Sequence, residues 1–219
     1  MNGITSSTAL WYASRATGVV SLLLLTIVMI LGMLVNRQGR LPGLPRFGAT
    51  TLHRSISLLS AAFVVIHVIT AIADPFVTIG IAAAIVPFTS AYEPFWLGLG
   101  AVSLDVMIAL IITSLARARI GRRTWRAVHW LAYAAWPVAF AHGIGSSTDL
   151  RHGGLFDLAA GCALAVGAAA LWRVSQALRA PRRPGRAGRA VHVLDAAATA
   201  RRPERISRDP YPPLMKAGR

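Results

Sequence analysis

The run from Ala16 to Val35 holds twenty consecutive uncharged residues, enough to cross the hydrocarbon core of a bilayer. A second apolar segment runs from about Thr51 to Ala73 and is predicted to stop at Asp74-Pro75, because the residue before a proline is disfavoured in helical backbone. Residues 76–94, FVTIGIAAAIVPFTSAYEP, combine a proline with apolar stretches too short to span, the pattern of an interfacial or re-entrant segment. A third span is predicted over Phe95–Leu115, with Asp105 near its centre. A fourth runs over about Thr124–Ala141 and is kinked by Pro137. The fifth, from Gly154 to about Trp172, is rich in Ala and Gly, as helices that approach closely are. The pattern predicts an all-α polytopic transmembrane bundle of about five spanning helices plus an interfacial segment. Residues 1–178 form the membrane domain and residues 179–219 a basic cytoplasmic tail without apolar periodicity, expected to be disordered.

Composition agrees with the pattern: 55% of the 219 residues are hydrophobic and only 14% are charged. The net charge of +15 invites a nucleic-acid reading, but its distribution argues against one. Between Arg179 and Arg219 there are eleven basic residues against three acidic, a net +8, and most of the remainder sits in short loops. The simplest partner for such a tail is the anionic headgroup layer of a lipid bilayer. The loops 37–46 and 117–126 are basic and alternate with the loops 74–94 and 142–153, which are poor in Lys and Arg. The positive-inside rule then predicts a multi-pass plasma-membrane protein with its amino terminus outside and its carboxyl terminus cytoplasmic. The first span has no basic segment before it and no evident small-residue cleavage site, so it is expected to be an uncleaved anchor.

Histidine changes the picture. HRSISLLSAAFVVIH places His53 and His67 within the second span, and HWLAYAAWPVAFAH places His129 and His142 around the fourth. An ionisable side chain inside a membrane is by default a functional-site hypothesis. At 1.5 Å per residue, each pair is separated by roughly 20 Å, so two such helices side by side would set one His pair near each face. Each pair can clamp one haem through neutral imidazole nitrogens, with two b-type haems stacked across the bilayer. The single cysteine, Cys162, excludes a CxxCH attachment site, and it is read as a packed core thiol. The fourteen-residue spacing of His53 and His67 returns to nearly the same helix face. Thirteen residues turn through about 220°, which would point His129 and His142 apart on a straight helix. The alternatives are core histidines bonded to neighbouring helices, or a zinc site, which needs ligands converging on one tetrahedral centre. Arg15, Arg54 and Arg126 are candidates to pair with haem propionates, the first outside and the others inside, with lipid contact or a topological role as the alternative. Asp105 is a candidate proton relay or polar helix partner. Phe63 and Phe140 lie between the paired histidines and are read as core filler. His152 and His192 are assigned no role.

The segments LHRSISLLSAAFVVIH, TSLARARIGRRTWRAVHWLAY and HGIGSSTD resemble the ferric reductase-like transmembrane domain family. That family includes ferric reductases, the membrane part of NADPH oxidases and the haem-binding membrane subunit of a methionine sulfoxide reductase system. The resemblance covers about Trp11 to Asp149. It implies axial pairs His53 with His129 and His67 with His142, and a b-type cytochrome relaying electrons across the membrane to an outer acceptor. About forty residues follow the last span, too few for a flavin and nicotinamide domain. The donor is therefore expected outside this chain, as a separate flavoprotein reductase or quinol, with a metal ion or redox protein as outer acceptor. A methionine sulfoxide reductase-type subunit is the runner-up, and a haem-free scaffold or transporter subunit is the rival from another class.

The loop-charge argument is open to direct measurement. A reporter fused after Arg219 should behave as cytoplasmic, and an external signal there would invert the whole topology.

Overall fold

The computed structural model describes residues 2–35, 46–75, 77 and 79–179, with side chains described from Thr8 to Leu34 and from Gly48 onward. The described residues form seven α-helices and one short 3-10 turn, with no strand among them. In chain order the helices are α1 (Asn2–Val35), α2 (Arg46–Ala73), α3 (Ile81–Ile85), α4 (Pro94–Leu115), α5 (Arg117–His129), α6 (Ala132–Ser146) and α7 (Gly153–Arg179). The 3-10 turn is Asp149–Arg151. Met1–Gln176 form one compact unit. The tail expected to be disordered, including His192, lies outside the described residues, as does most of the basic loop 37–46.

Four helices are long and apolar enough to cross a bilayer: Thr8–Leu34, Gly48–Ala73, Pro94–Leu115 and Gly153–Arg179. The chain is thus a multi-pass membrane protein of all-helical architecture. One expectation is corrected in detail. The predicted fourth span over 124–141 is two helices, and the second of them, α6, has 15 residues and a length of only about 22 Å. Between them the backbone tightens into i→i+3 bonds, Leu131 N–H to the Val128 carbonyl, Tyr133 to Trp130 and Ala134 to Leu131. The proline explains the position. Pro137 has no N–H for the Tyr133 carbonyl, and its ring crowds that carbonyl, so the distortion falls in the turn upstream. The amphipathic α5 is itself broken at Gly121, whose φ of 77° few other residues tolerate.

Helix α1 is the centre of the bundle. A third of its apolar window (33%) is enclosed by protein, against 6% for α2 and 11% for α4. Ser21, Leu22, Thr26, Leu31 and Met33 are buried along it. α2 packs along one side of α1, and α6 lies between α1 and α4. α7 closes the other side with Cys162 and Val166, which join Met33 and Trp136 in the core. The opposite faces of α2 and α7 present Leu58, Val65, Ile69, Leu164 and Leu171 outward, where hydrocarbon is the natural solvent. Within residues 79–94 the chain packs against α4. Its five-residue helix α3 is followed by Phe88, whose ring covers Gly98 of α4.

Mid-depth, the Trp136 indole donates from Nε1 to Thr26 Oγ1 at 3.0 Å, and the threonine hydroxyl in turn donates to the Leu22 carbonyl at 2.8 Å. Phe140 stacks on Trp136 with centroids 5.2 Å apart. Thr26→Val keeps the shape but strands a buried N–H, so it should destabilise the fold by about 1–3 kcal/mol. Thermal unfolding in detergent measures this, and an unchanged midpoint would show that the bond contributes nothing.

Candidate functional site

The four span histidines meet in two pairs, one toward each end of the bundle. At the end holding Ser14 and Trp96, the rings of His67 and His142 lie 6.3 Å apart between centroids, at an interplanar angle of 69°. His67 Nδ1 donates to the Ser14 carbonyl at 2.8 Å, and His142 Nδ1 donates to the Trp96 carbonyl at 2.8 Å. These bonds require the proton on Nδ1 in each ring, which leaves each Nε2 with a free lone pair. An imidazole nitrogen binds a transition metal at about 2 Å, and its ring centre lies about 1 Å further back, so two rings on opposite sides of one metal stand about 6 Å apart. The observed separation fits that arrangement.

Glycine creates the room. His67 lies against Gly18 of α1, where a Cβ would stand 3.0 Å from the imidazole Cε1. His142 lies against Gly100 of α4, where the same distance would be 2.8 Å. In each case the accepting carbonyl belongs to the residue four positions before the glycine, Ser14 before Gly18 and Trp96 before Gly100. His53, at the other end of α2, repeats the pattern more loosely. Gly32 faces it at 3.5 Å, and the Val28 backbone, again four positions earlier, lies near its ring. Thus α1 carries two seats fourteen residues apart that match the fourteen-residue spacing of His53 and His67.

The fourth histidine is held differently. His129 ends α5 and stacks on Trp125, with centroids 4.8 Å apart, while Arg117 lies over the other ring of that stack at 4.4 Å from the Trp125 centroid. His53 and His129 are near enough to interact electrostatically, and Nδ1 of each is buried without a hydrogen bond of normal geometry. A buried donor left unpaired costs about 1–3 kcal/mol, so this end is less complete as protein alone than the other. The break between α5 and α6 answers the difficulty raised by thirteen-residue spacing. His129 and His142 belong to different helices, and His142 meets His67 while His129 lies near enough to His53 to interact with it electrostatically.

Around the His67 end, Arg15 pairs with Asp149 and lies over the Trp11 ring at 4.1 Å, with side-chain exposures of 29% for the arginine and 43% for the aspartate. Arg151 donates to the Ile144 and Gly145 carbonyls and so caps the end of α6. Arg54 and Arg126 are exposed. Asp105 is half-buried in α4 and makes no hydrogen bond or ion pair among the described residues. Phe140 belongs to the Trp136 stack, and His152 is exposed with Nδ1 3.3 Å from the Thr148 carbonyl. No group of three His, Cys, Asp or Glu side chains converges among the described residues.

Sequence reasoning named all four histidines but missed Gly18, Gly32, Gly100, Trp125 and Trp136. A signal for two of them was present, since Gly18 and Gly32 share the fourteen-residue interval of His53 and His67. The family described as ferric reductase like transmembrane component matches residues 17–140, which include His53, His67 and His129 and stop two residues before His142. No curated protein and no solved structure matches the chain.

The Arg15–Asp149 pair is exposed enough for solvent to screen it. Asp149→Asn should therefore change unfolding free energy by less than about 1 kcal/mol. A larger loss in a denaturation series would mean that the pair holds α1 to the turn after α6.

Proposed function

The chain belongs to the family of ferric reductase-like transmembrane components, membrane proteins of oxidoreductase type, and from that premise we propose that it is a b-type cytochrome carrying electrons between the two membrane faces. The observation that carries this reading is the opposed pair His67 and His142, 6.3 Å apart with both Nδ1 atoms committed to backbone carbonyls. Such a pair fits the two axial positions of one haem iron. His53 and His129, with their buried unpartnered nitrogens, fit a second. When bound, haem b supplies a one-electron carrier at each site.

The residues of the chain do the rest. His67 with His142, and His53 with His129, would each hold one haem, and an iron held by two imidazoles would suit electron transfer rather than oxygen binding. The Nδ1–H···O=C bonds fix the tautomer and make each ring a stronger donor at Nε2. The lipid-facing apolar surfaces and the core around Trp136 keep water from the space between the sites. Arg15, Arg54 and Arg126 stand near the two ends as partners for propionates, Arg15 by exchanging Asp149 for another carboxylate. Basic loop charge places His53 and His129 on the cytoplasmic side in this reading. In this reading a separate flavoprotein or quinol would supply electrons at the inner end, and a metal ion or redox protein would accept them at the His67 end. A haem-binding subunit of a methionine sulfoxide reductase-type pair would use the same site with a different outer acceptor.

Pyridine haemochrome analysis of the purified protein should approach two haems per chain, with a Soret band that dithionite reduces. Absence of haem after expression with ample haem supply would leave only a scaffold or transporter reading. Order of transfer is tested by two substitutions. With haem content quantified in each, His67→Ala should still accept electrons from an inner donor and fail to reduce an impermeant outer acceptor. His53→Ala should be blocked at the donor step. Identical behaviour of the two variants would mean that the sites do not work in series.

A further inference from the structure

We propose that Gly18 and Gly100, each with the backbone carbonyl four residues before it, are positioning residues that set the tautomer and the plane of the two outer axial imidazoles. This rests on the haem reading above and goes beyond it by assigning ligand orientation to the backbones of α1 and α4.

The argument begins with space. A Cβ on Gly100 would lie 2.8 Å from both Cε1 and Nδ1 of His142, and one on Gly18 would lie 3.0 Å from Cε1 and 3.1 Å from Nδ1 of His67. Real Cβ atoms essentially never sit as close as the Gly100 distances, and the Gly18 distances are tighter than nine in ten real contacts, so alanine displaces the His142 ring and pushes the His67 ring by a few tenths of an ångström. The ring cannot move freely, because its Nδ1 donates at 2.8 Å to Ser14 or Trp96 on the same helix as the glycine. Displacement therefore stretches that bond, rotates the imidazole, or both. Gly32 is the internal contrast: its Cβ would meet His53 at 3.5 Å, an ordinary contact. Helix propensity points the other way, since alanine is the better helix former by roughly 1 kcal/mol. A defect in Gly18→Ala or Gly100→Ala must then come from what the added methyl touches.

The functional consequence lies in the 69° between the two ring planes. Nearly perpendicular axial imidazoles bring two ferric iron d orbitals close in energy, which gives a highly anisotropic low-spin electron paramagnetic resonance signal. Nearly parallel rings give an ordinary rhombic one. The two seats thus determine a spectroscopic property of the outer site that neither histidine determines alone.

The experiment uses full-length protein purified with its haem, and identifies the outer signal as the one lost in His142→Ala. Gly100→Ala and Gly18→Ala should shift that signal toward the rhombic type or abolish it, with haem falling from two toward about one per chain, while the inner signal stays in place. Gly161→Ala on α7, where an added Cβ meets nothing within 4 Å, should leave both signals as in the wild type. A haem-loaded Gly100→Ala and Gly18→Ala pair with unmoved outer signals overturns the proposal. If those variants do not accumulate, the wild type decides: a highly anisotropic outer signal supports the seats and a rhombic one overturns them. A wild-type protein that holds no haem overturns the underlying reading itself, an outcome distinct from failure of the seats.

Discussion

An imidazole inside a membrane has two nitrogens and no water to satisfy them, and the bundle is arranged to meet that constraint. His67 and His142 hand one nitrogen to a helix carbonyl that is already accepting within its own helix, which is possible because a carbonyl oxygen has two lone pairs. The ring must come close enough to reach that oxygen past the helix surface. Glycine four residues further on, one turn toward the carboxyl end, removes the side chain that would stand in the way. The second nitrogen is left without a partner from the backbone, and in the proposed reading it is the one that would bind iron.

The same requirement explains why α1 is central. It offers one seat to each histidine of α2, and a helix that accepts rings from its neighbour at two depths has to lie close along it. Its remaining faces are then available to α6 and α7. Trp136, Thr26, Met33, Cys162 and Val166 fill the region where these three helices meet. The indole has a partner on α1, so the polar end of a large ring is satisfied at mid-depth while its body excludes water. Arg173 of α7 adds a bond to the Met33 carbonyl and lies over Tyr133, tying α7 to both neighbours.

The two ends of the bundle differ in how much the protein alone fixes. Near Ser14 and Trp96, both imidazoles are bonded, Arg151 caps α6, and the pair is defined before anything binds. Near His53 and His129, one imidazole sits in a looser seat and the other ends a short amphipathic helix broken at Gly121, stacked on Trp125 with Arg117 over that indole. That helix carries Arg117, Arg119, Arg122, Arg123 and Arg126, so cationic charge surrounds the less rigid site. In the proposed topology this is the face where a donor arrives.

Apolar run length predicted the helical spans to within a few residues at several ends, because hydrocarbon thickness and the proline rule act locally: α2 does end at Ala73 before Asp74-Pro75, and α4 begins at Pro94. Histidine type and interval singled out four candidate residues, since an ionisable ring in an apolar span is costly. The pairing of His129 and His142 with α2 was not legible in the same way. It depends on a break at Trp130–Leu131 that rephases two helices, and the sequence shows only the proline downstream of it. The seats at Gly18, Gly32 and Gly100 were equally hidden, because a glycine in a membrane helix reads alike whether it faces lipid, a helix or a ring. By itself the sequence determined where four helices are long and apolar enough to cross a membrane and which side chains could bind a metal, both of which follow from single residues and their neighbours. The tertiary structure decided which imidazoles face each other and which nitrogen each keeps free, because those depend on the register of one helix against another.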